Sequence, residues 1–222
     1  MSKSPTYFIL KRCFDVVSAT AGLIGTSPLW ILAILGIEIS DPGAVFYMAR
    51  RVGKDGKEFR MFKFRSMRVA KGANESKFKA DVDRVFKFGA FMRATKIDEL
   101  PQLLNVIGGS MSVVGPRPAS VDQVEVVRSG EYAVAGTVKP GLSSPSALYD
   151  YVYGDTVEDE VEYEKLVLPT RLKLDVYYVK KMGVRYDLKI IWQTVMCILS
   201  SFGCRSIRKR ILNELIANVK EN

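Results

Sequence analysis

The sequence contains no histidine among its 222 residues and only three cysteines. The absence of histidine excludes zinc-finger and HExxH sites, so any acid–base or nucleophilic chemistry must come from carboxylates, Lys, Tyr, Ser, Thr or Cys. Cys13, Cys197 and Cys204 have no metal-ligand spacing, and their number is odd. We therefore expect the soluble part of the protein to face a reducing compartment.

The sequence has fewer acidic than basic residues: 24 Asp and Glu against 33 Lys and Arg, which gives a formal net charge of +9 at pH 7. Such a positive excess favours nucleic acid, an anionic membrane surface or phosphorylated ligands as partners. The basic residues are dispersed and form no recognisable nucleic-acid module, so we expect no nucleic-acid partner. The chain has no internal repeat or low-complexity linker, and its length suits one sizeable core.

Charged residues are also missing from residues 16–37, a run of 22 with the sequence VVSATAGLIGTSPLWILAILGI. A straight helix of this length would measure about 33 Å, enough to cross a bilayer. Pro28 is expected to kink the helix by removing a backbone hydrogen bond, and the Ser27 hydroxyl can satisfy a freed backbone group. Basic residues flank the run: Lys11 and Arg12 before it, and Arg50, Arg51, Lys54 and Lys57 after it.

Positive charge on both sides of this run places both of its ends on the cytoplasmic side of a membrane. We therefore predict a re-entrant helix that enters one leaflet, bends at Ser27 and Pro28, and returns. A straight membrane span and a buried core helix are the alternatives. A cleaved signal peptide is a third, although no clear A-x-A site follows the run.

A β-hairpin is predicted for residues 45–67, after a DPG turn at residues 41–43. Its own turn is the KDG sequence at residues 54–56, and Asp-Gly between alternating strands is a strong hairpin signal. The second arm partly alternates apolar and basic residues, so Arg60, Lys63 and Arg65 can be presented from a rigid strand. A solvated strand face is the alternative. The polar residues 71–85 are predicted to form a loop or a surface helix.

Asp98 is predicted to cap a short helix whose apolar residues recur at positions 100, 103, 104 and 107. Pro101 falls in the first turn of this helix, where its missing N–H matters little, and the glycines at 108–109 end it. Residues 121–127 are predicted to form another short helix.

The C-terminal third is predicted to be helical after an irregular insertion at residues 143–164. One helix covers residues 170–182, with Gly183 just beyond its end. Another covers residues 188–202, is capped by Asp187 and is followed at once by basic residues. This nearly apolar helix suits a membrane interface, and a core helix with a solvated basic end is the alternative.

These elements together predict an α+β fold with three parts. Residues 1–40 form the membrane-embedded re-entrant helix. Residues 41–204 form a small cytoplasmic catalytic domain of mixed helices with the short β-hairpin and interfacial amphipathic helices. Residues 205–222 form a basic C-terminal helix.

The candidate chemistry centres on the adjacent acids Asp98 and Glu99. Neighbouring helical residues project roughly 100° apart, so these acids suit two roles, such as nucleophile and metal ligand, better than a shared-proton pair. Arg93 precedes them, and Arg117 follows in an extended backbone between two prolines, suited to clamping a diphosphate. The alternative is ordinary helix capping by the acids and a surface arginine in a turn.

Together these motifs resemble the bacterial sugar transferases, the monotopic phosphoglycosyl transferases. The resemblance runs from about residue 11 to about residue 195, and it is specific in the order and number of its motifs. The matching motifs are KRxFD at 11–15, Ser27-Pro28, DPG at 41–43, RxGxxGKxF at 51–59, KFRSM at 63–67, Arg93, DELPQ at 98–102, MSxVGPRP at 111–118, KPG at 139–141 and DLKII at 187–191.

The resemblance implies an activity and a set of site residues. Members move a sugar-1-phosphate from a UDP-sugar to undecaprenyl phosphate and release UMP, as the first membrane step of surface glycan biosynthesis. By this resemblance, Asp98 is the nucleophile that forms an aspartyl phospho-sugar intermediate, and Glu99 helps to hold Mg²⁺ on the diphosphate. The other residues matched to functional positions are Lys63, Arg93, Arg117 and Asp175, with Ser27 and Pro28 at the break of the re-entrant helix.

The resemblance also implies a location on the cytoplasmic face of the bacterial inner membrane, in contact with membrane lipids. Larger members of the family have additional membrane helices, and we expect this chain to lack them. The sequence LSSPSALYDYVYGD at residues 142–155 departs from the ITGWAQV-like segment of many members. No sugar-recognition residue is therefore assigned in residues 143–155. The alternative function is a non-catalytic, membrane-anchored binding protein for acidic partners.

Overall fold

The computed structural model describes residues 4–68, 82–200 and 205–220, and over these ranges the fold is mainly helical with two small sheets. This is the α+β class that the sequence predicts. Cys204 and residues 71–81 of the predicted polar segment lie outside the described residues. The α-helices are α1 (Pro5–Gly25), α2 (Ser27–Ser40), α3 (Lys87–Thr95), α4 (Gln102–Gly108), α5 (Val124–Val127), α6 (Pro145–Val152), α7 (Glu160–Glu162), α8 (Leu168–Lys181), α9 (Val184–Leu199) and α10 (Arg205–Lys220).

The first two helices confirm the predicted break, because α1 and α2 meet at an angle of 58°. Hydroxyl groups satisfy carbonyls at the bend: Thr26 Oγ1 donates to the Gly22 carbonyl at 2.7 Å and Ser27 Oγ to that of Ile24 at 2.8 Å. Within the described part of the chain, no single helix is long and apolar enough to span a membrane, and this includes α1 and α2 taken separately.

One side of this bent pair is tied to the rest of the protein. Asp15 Oδ1 accepts hydrogen bonds from Ser112 Oγ at 3.0 Å and from the Val113 N–H at 2.9 Å. Arg12 donates to the carbonyls of Val106 and Ile107 at the end of α4. The other side of the pair is apolar and exposed, at Val17, Ile24, Ile31, Leu35 and Ile39.

The predicted hairpin is confirmed as β1 (Phe46–Val52) and β2 (Glu58–Phe64), which pair antiparallel around a turn at Lys54–Gly56. Short strand β4 (Ala119–Ser120) adds to the open edge of β1. A separate parallel pair joins β3 (Ser112–Val114) to β5 (Gly141–Ser143). Residues 115–118 therefore connect β3 in the parallel pair to β4 at the edge of the hairpin.

The prediction that Asp98 caps the DELPQ helix is wrong. Lys96 adopts a left-handed conformation, with φ of 59°, and ends α3. Asp98 and Glu99 then lie in a single 3₁₀ turn, Ile97–Glu99, and α4 starts only after Pro101, with no side-chain cap. The acids therefore lie in a separate turn before the helix, and not at the helix N-terminus that the local sequence pattern predicts.

Two further predictions are corrected in the C-terminal half. The segment 143–164 is not irregular, because Ser144 caps α6 by accepting a hydrogen bond from the Ala147 N–H at 2.9 Å. Asp187 does not cap a helix, because α9 already begins at Val184. Asp187 instead accepts hydrogen bonds from Tyr178 and from Tyr7 and Lys11 of α1, and so joins three helices.

Candidate active site

A cavity of about 140 Å³ opens between the hairpin, the acid-containing turn and helix α8. It brings together four of the predicted site residues, which are Lys63, Glu99, Arg117 and Asp175. Asp98 and Arg93 are not among the residues that line it. Further charged side chains in the lining are Arg51, Arg128 and Arg171, so positive charge dominates.

The two adjacent acids occupy different environments. Asp98 is only 4% exposed, whereas 23% of the Glu99 side chain is exposed at the cavity. The buried Ile97 packs into the core next to Phe64 and Met92 and thereby anchors the 3₁₀ turn. The turn therefore directs one carboxylate inward and leaves the other at the cavity wall.

Asp98 is a buried carboxylate with an oxygen that no described protein group satisfies. Its Oδ1 atom is inaccessible and receives no hydrogen bond from the described part of the chain. Burial raises the pKa of Asp98, and the positive charges of Lys63, Lys96 and Arg93 only partly oppose this effect. Unsatisfied buried acids are costly for stability, so their presence points to a functional requirement.

Glu99 forms an ion pair with Lys63, in which Lys63 Nζ lies 3.2 Å from Glu99 Oε1. Burial alone would raise the pKa of Glu99, but the charges of Lys63, Lys96 and Arg117 together lower the pKa to about 2. Glu99 is therefore ionised at neutral pH. Its partial exposure leaves this carboxylate open to a ligand or a cation in the cavity.

Arg117 is held at three points. Its backbone N–H donates to Asp175 Oδ1 at 3.1 Å, and its carbonyl accepts a hydrogen bond from Arg128 Nη2 at 2.6 Å. Its guanidinium Nη2 lies 3.4 Å from Asp150 Oδ2, while 42% of the side chain stays exposed. Two neighbouring prolines restrict the same backbone.

Asp175 lines the cavity but is almost completely buried among protein groups. It is 2% exposed and accepts a second hydrogen bond, from Ser146 Oγ at 2.6 Å. Burial raises the pKa of Asp175, with Arg128 as the main opposing charge. In this arrangement Asp175 supports the loop that carries Arg117.

Arg93 lies on α3, where its Nη1 atom is 3.9 Å from the sulfur of Met67. Although it is not at the cavity wall, its charge acts on Asp98. Arg93 therefore belongs to the electrostatic surroundings of the buried acid.

Sequence reasoning missed several site residues. Lys96, in its left-handed turn, places its ammonium 4.5 Å from the centre of the Tyr151 ring and acts electrostatically on both adjacent acids. Arg171 lies in the helix predicted at residues 170–182, but nothing in the local sequence indicates its contact with Asp150. Asp150 was missed because α6 lies in the segment predicted to be irregular. The Ser-Pro pair at residues 144–145, a typical helix N-cap and first residue, was the available signal.

No set of three or more carboxylates and cysteines that could hold a metal ion by itself occurs in residues 4–68, 82–200 and 205–220. Two adjacent carboxylates beside a cationic cavity suit a different arrangement, in which substrate phosphates complete the coordination of Mg²⁺. The ionised and partly exposed Glu99 carboxylate fits such a shared site. Chemically, the site is suited to a phosphate ester and a carboxylate nucleophile.

The chain is similar to one protein-family model and to several known proteins. Residues 6–201 match the family model described as bacterial sugar transferase. The chain is 37% identical over 190 residues to the UDP-glucose:undecaprenyl-phosphate glucose-1-phosphate transferase of Escherichia coli, covering 84% of this chain and 39% of that protein. It is 35% identical over 210 residues to the exopolysaccharide production protein ExoY of Rhizobium meliloti, covering 87% of each.

A third relative is the UDP-N-acetylgalactosamine-undecaprenyl-phosphate N-acetylgalactosaminephosphotransferase of Aeromonas hydrophila, 34% identical over 206 residues. That match covers 91% of this chain and 46% of the relative. The chain thus spans less than half the length of the Aeromonas and Escherichia proteins. Two of these relatives are named for different sugars, glucose and N-acetylgalactosamine.

Proposed function

The chain belongs to the bacterial sugar transferase family, and from that premise we propose that it transfers a sugar-1-phosphate from a UDP-sugar to undecaprenyl phosphate. It is a phosphoglycosyl transferase that releases UMP and starts the membrane stage of surface glycan synthesis. The observation that carries this proposal is the buried Asp98 carboxylate, with its unsatisfied oxygen, next to a cation-lined cavity.

The proposed reaction has two displacements at one phosphorus atom. An Asp98 oxygen attacks the phosphorus that carries the sugar, the bond from this phosphorus to the bridging oxygen breaks, and UMP leaves with that oxygen. A phosphate oxygen of undecaprenyl phosphate then attacks the same phosphorus and frees the Asp98 carboxylate. In this proposal the nearly complete burial of Asp98 limits the access of water to the acyl phosphate between the two steps.

The basic residues have separate roles in this proposal. Lys63 and Arg117 at the cavity wall bind phosphate oxygens of the donor and offset their charge. Arg93 and Lys96 act on Asp98 through their charge and favour its ionised, nucleophilic form against the cost of burial. Asp175 orients the backbone of Arg117 through the hydrogen bond to its N–H.

Mg²⁺ fits this site as a cofactor held by Glu99, together with donor phosphates. When bound, the ion supplies positive charge to the diphosphate and to the departing UMP. Glu99 remains ionised for this task because the neighbouring basic residues lower its pKa to about 2 against the effect of burial.

The Glu99→Gln variant is expected to need more Mg²⁺ for the same rate. Loss of the anionic ligand should raise the Mg²⁺ concentration for half-maximal UMP release by at least about tenfold. Titration of the rate with Mg²⁺ at saturating donor measures this change. Glu58→Gln is the matched control, because Glu58 pairs with Arg50 on the exposed side of the hairpin. An unchanged Mg²⁺ titration in Glu99→Gln would remove Glu99 from the metal site.

We also propose that α1 and α2 form a re-entrant membrane element on the cytoplasmic face of the inner membrane. The exposed apolar side of the bent pair and the basic residues at both ends support this orientation. Helix α9 contributes an exposed apolar face with Leu188, Leu199 and Trp192, the last 64% exposed, which suits the membrane interface.

Cysteine labelling tests the re-entrant orientation. In a chain whose native cysteines are replaced, Ser4→Cys and Ser40→Cys should both react with a membrane-impermeant maleimide only from the cytoplasmic side of intact vesicles. Both positions flank the bent pair, so a re-entrant path places them on the same side. Labelling of one of them from the opposite side would show a straight span instead.

The reaction itself is tested by incubating detergent-solubilised protein with undecaprenyl phosphate, Mg²⁺ and a panel of UDP-sugars. Release of UMP with one sugar is the expected result, and it names the donor as well. Release of UDP would mean an ordinary glycosyl transfer. Absence of any product from a folded protein across the panel would favour the non-catalytic binding function.

A further inference from the structure

Asp150 is a buried acid on α6 that contacts the exposed Arg117 guanidinium at the cavity. Its Oδ2 atom lies 3.4 Å from Arg117 Nη2. Within the described part of the chain, Asp150 is the one carboxylate that lies within ion-pair distance of this guanidinium. The backbone of Arg117 is held by other groups, so the position of the side chain depends on Asp150.

Asp150 is itself fixed by a buried network. Tyr163 Oη donates to Asp150 Oδ1 at 2.6 Å, and Arg171 Nη1 donates to Tyr163 Oη at 2.7 Å while lying 3.8 Å from Asp150 Oδ2. Gly154 leaves the space that this carboxylate occupies, because a Cβ atom there would come within 2.2 Å of Asp150 Oδ1. The acid thus has a defined position that does not rely on Arg117.

The charge of Asp150 is also secured. Burial would raise its pKa, but Arg117 and Arg171 outweigh that effect and lower it, so the acid is ionised at neutral pH. Conversely, Asp150 is the largest of the charges that raise the pKa of Arg117. A single contact at Nη2 leaves other N–H groups of the guanidinium able to bind a phosphate at the same time.

We propose that Asp150 is a positioning residue for the proposed reaction, which holds the Arg117 side chain over the cavity in the orientation that binds the donor diphosphate. Tyr163 and Arg171 keep Asp150 in place. An arginine side chain has several rotatable bonds, and ordering it in advance lowers the entropy lost when the donor binds. This role rests on the proposed function. Asp150 lies in residues 143–155, the segment where the chain departs from many family members.

The first test measures Arg117 without any turnover. The full-length chain is treated with phenylglyoxal, which modifies arginine, and the extent of modification of Arg117 is determined by peptide mass spectrometry. Asp150→Asn should increase the modification rate of Arg117 several-fold, since the side chain loses its partner. Glu158→Gln, an exposed acid eight residues further along the chain, is the control and should leave the rate unchanged. An unchanged Arg117 rate in a folded Asp150→Asn chain would overturn the proposal.

The second test separates positioning from a general structural role. With the UDP-sugar that supports UMP release, Asp150→Asn should raise KM for the donor about tenfold while changing kcat by less than about threefold. In an Arg117→Gln background the Asp150→Asn substitution should have no further effect on KM. An equal effect in both backgrounds would show that Asp150 does not act through Arg117, and would overturn the proposal.

Tyr163→Phe provides a second variant that keeps the charge of Asp150 but removes its hydrogen bond. It should raise Arg117 modification and donor KM in the same direction and to a smaller extent. If Asp150→Asn does not fold, an unchanged Arg117 modification rate in Tyr163→Phe overturns the proposal on its own. Absence of UMP release in the unaltered chain would reject the proposed reaction, while the modification experiment would still decide whether Asp150 holds Arg117.

Discussion

The Asp98→Asn variant is expected to form no covalent phospho-sugar adduct and to melt at a higher temperature than the unaltered protein. An amide is not a nucleophile toward phosphorus, so UMP release should fall by at least about a thousandfold. The adduct is detected by mass spectrometry of the intact chain after incubation with donor in the absence of acceptor. Loss of activity together with a gain in stability distinguishes a functional acid from a structural one.

The gain in stability follows from the burial of Asp98. Folding places this carboxylate where burial raises its pKa, and no described protein group donates to its Oδ1 atom. The neutral form is therefore the one that folding favours. Each unit by which the pKa is raised corresponds to about 1.4 kcal/mol of unfavourable free energy when the acid is ionised. Removing the charge should raise the melting temperature by a few degrees.

The same argument gives the pH dependence of this gain. Because the folded-state pKa is raised, the contribution of Asp98 to stability is fully present below the ordinary pKa of an aspartate and is lost as pH rises through the raised value. The Asp98→Asn variant lacks this titration. Its advantage in melting temperature should therefore be absent in acid and grow with pH across that window.

Asp55→Asn is the matched control, because Asp55 is exposed in the hairpin turn and has a positive φ that asparagine tolerates. It should keep both the activity and the melting temperature. Full UMP release by Asp98→Asn would contradict the assignment of the nucleophile. If the melting temperature of Asp98→Asn were lower than that of the unaltered protein by the same amount at all pH values, the expected destabilising effect of the buried charge would be contradicted.

The Gly141→Ala variant is expected to lose both stability and activity through a backbone collision. A Cβ atom at Gly141 would lie 2.0 Å from the backbone nitrogen of Gly115 and 2.6 Å from its carbonyl oxygen. These neighbours are main-chain atoms of the residue that follows β3, so they cannot rotate away as a side chain would. Overpacking against backbone should cost roughly 3 kcal/mol or more, which lowers the melting temperature by roughly 6–12 °C.

Activity should fall because the displaced backbone carries Arg117. The Gly141 N–H donates to the carbonyl of Pro116 at 2.9 Å, directly before Arg117 in the chain. Gly108→Ala is the matched control, since nothing lies within 4 Å of a Cβ atom there, and its effect on stability should stay within about 1 kcal/mol. If the Gly141→Ala protein were as stable as the Gly108→Ala protein, β3 and β5 would be able to move apart without a loss of stability, which would contradict this prediction.

Local features of the fold were predictable from the sequence because neighbours in the chain create them. The hairpin follows from the Asp-Gly turn between two strands, and the bend between α1 and α2 follows from Pro28 and the hydroxyls beside it. The errors arose where more distant contacts outweigh local preference. Asp187 resembles a helix cap, yet it lies inside α9 because Tyr7, Lys11 and Tyr178 surround it.

The sequence by itself determined the candidate residues and their chemical types: adjacent acids, basic residues, and an arginine between prolines. Only the tertiary structure decided that Asp98 is buried while Glu99 faces the cavity, and that Asp175 supports a loop. Only the folded chain places Asp150 beside Arg117. The physical reason is that burial and charge interactions depend on distances in space, and residues far apart in sequence are brought together only when helices and sheets pack.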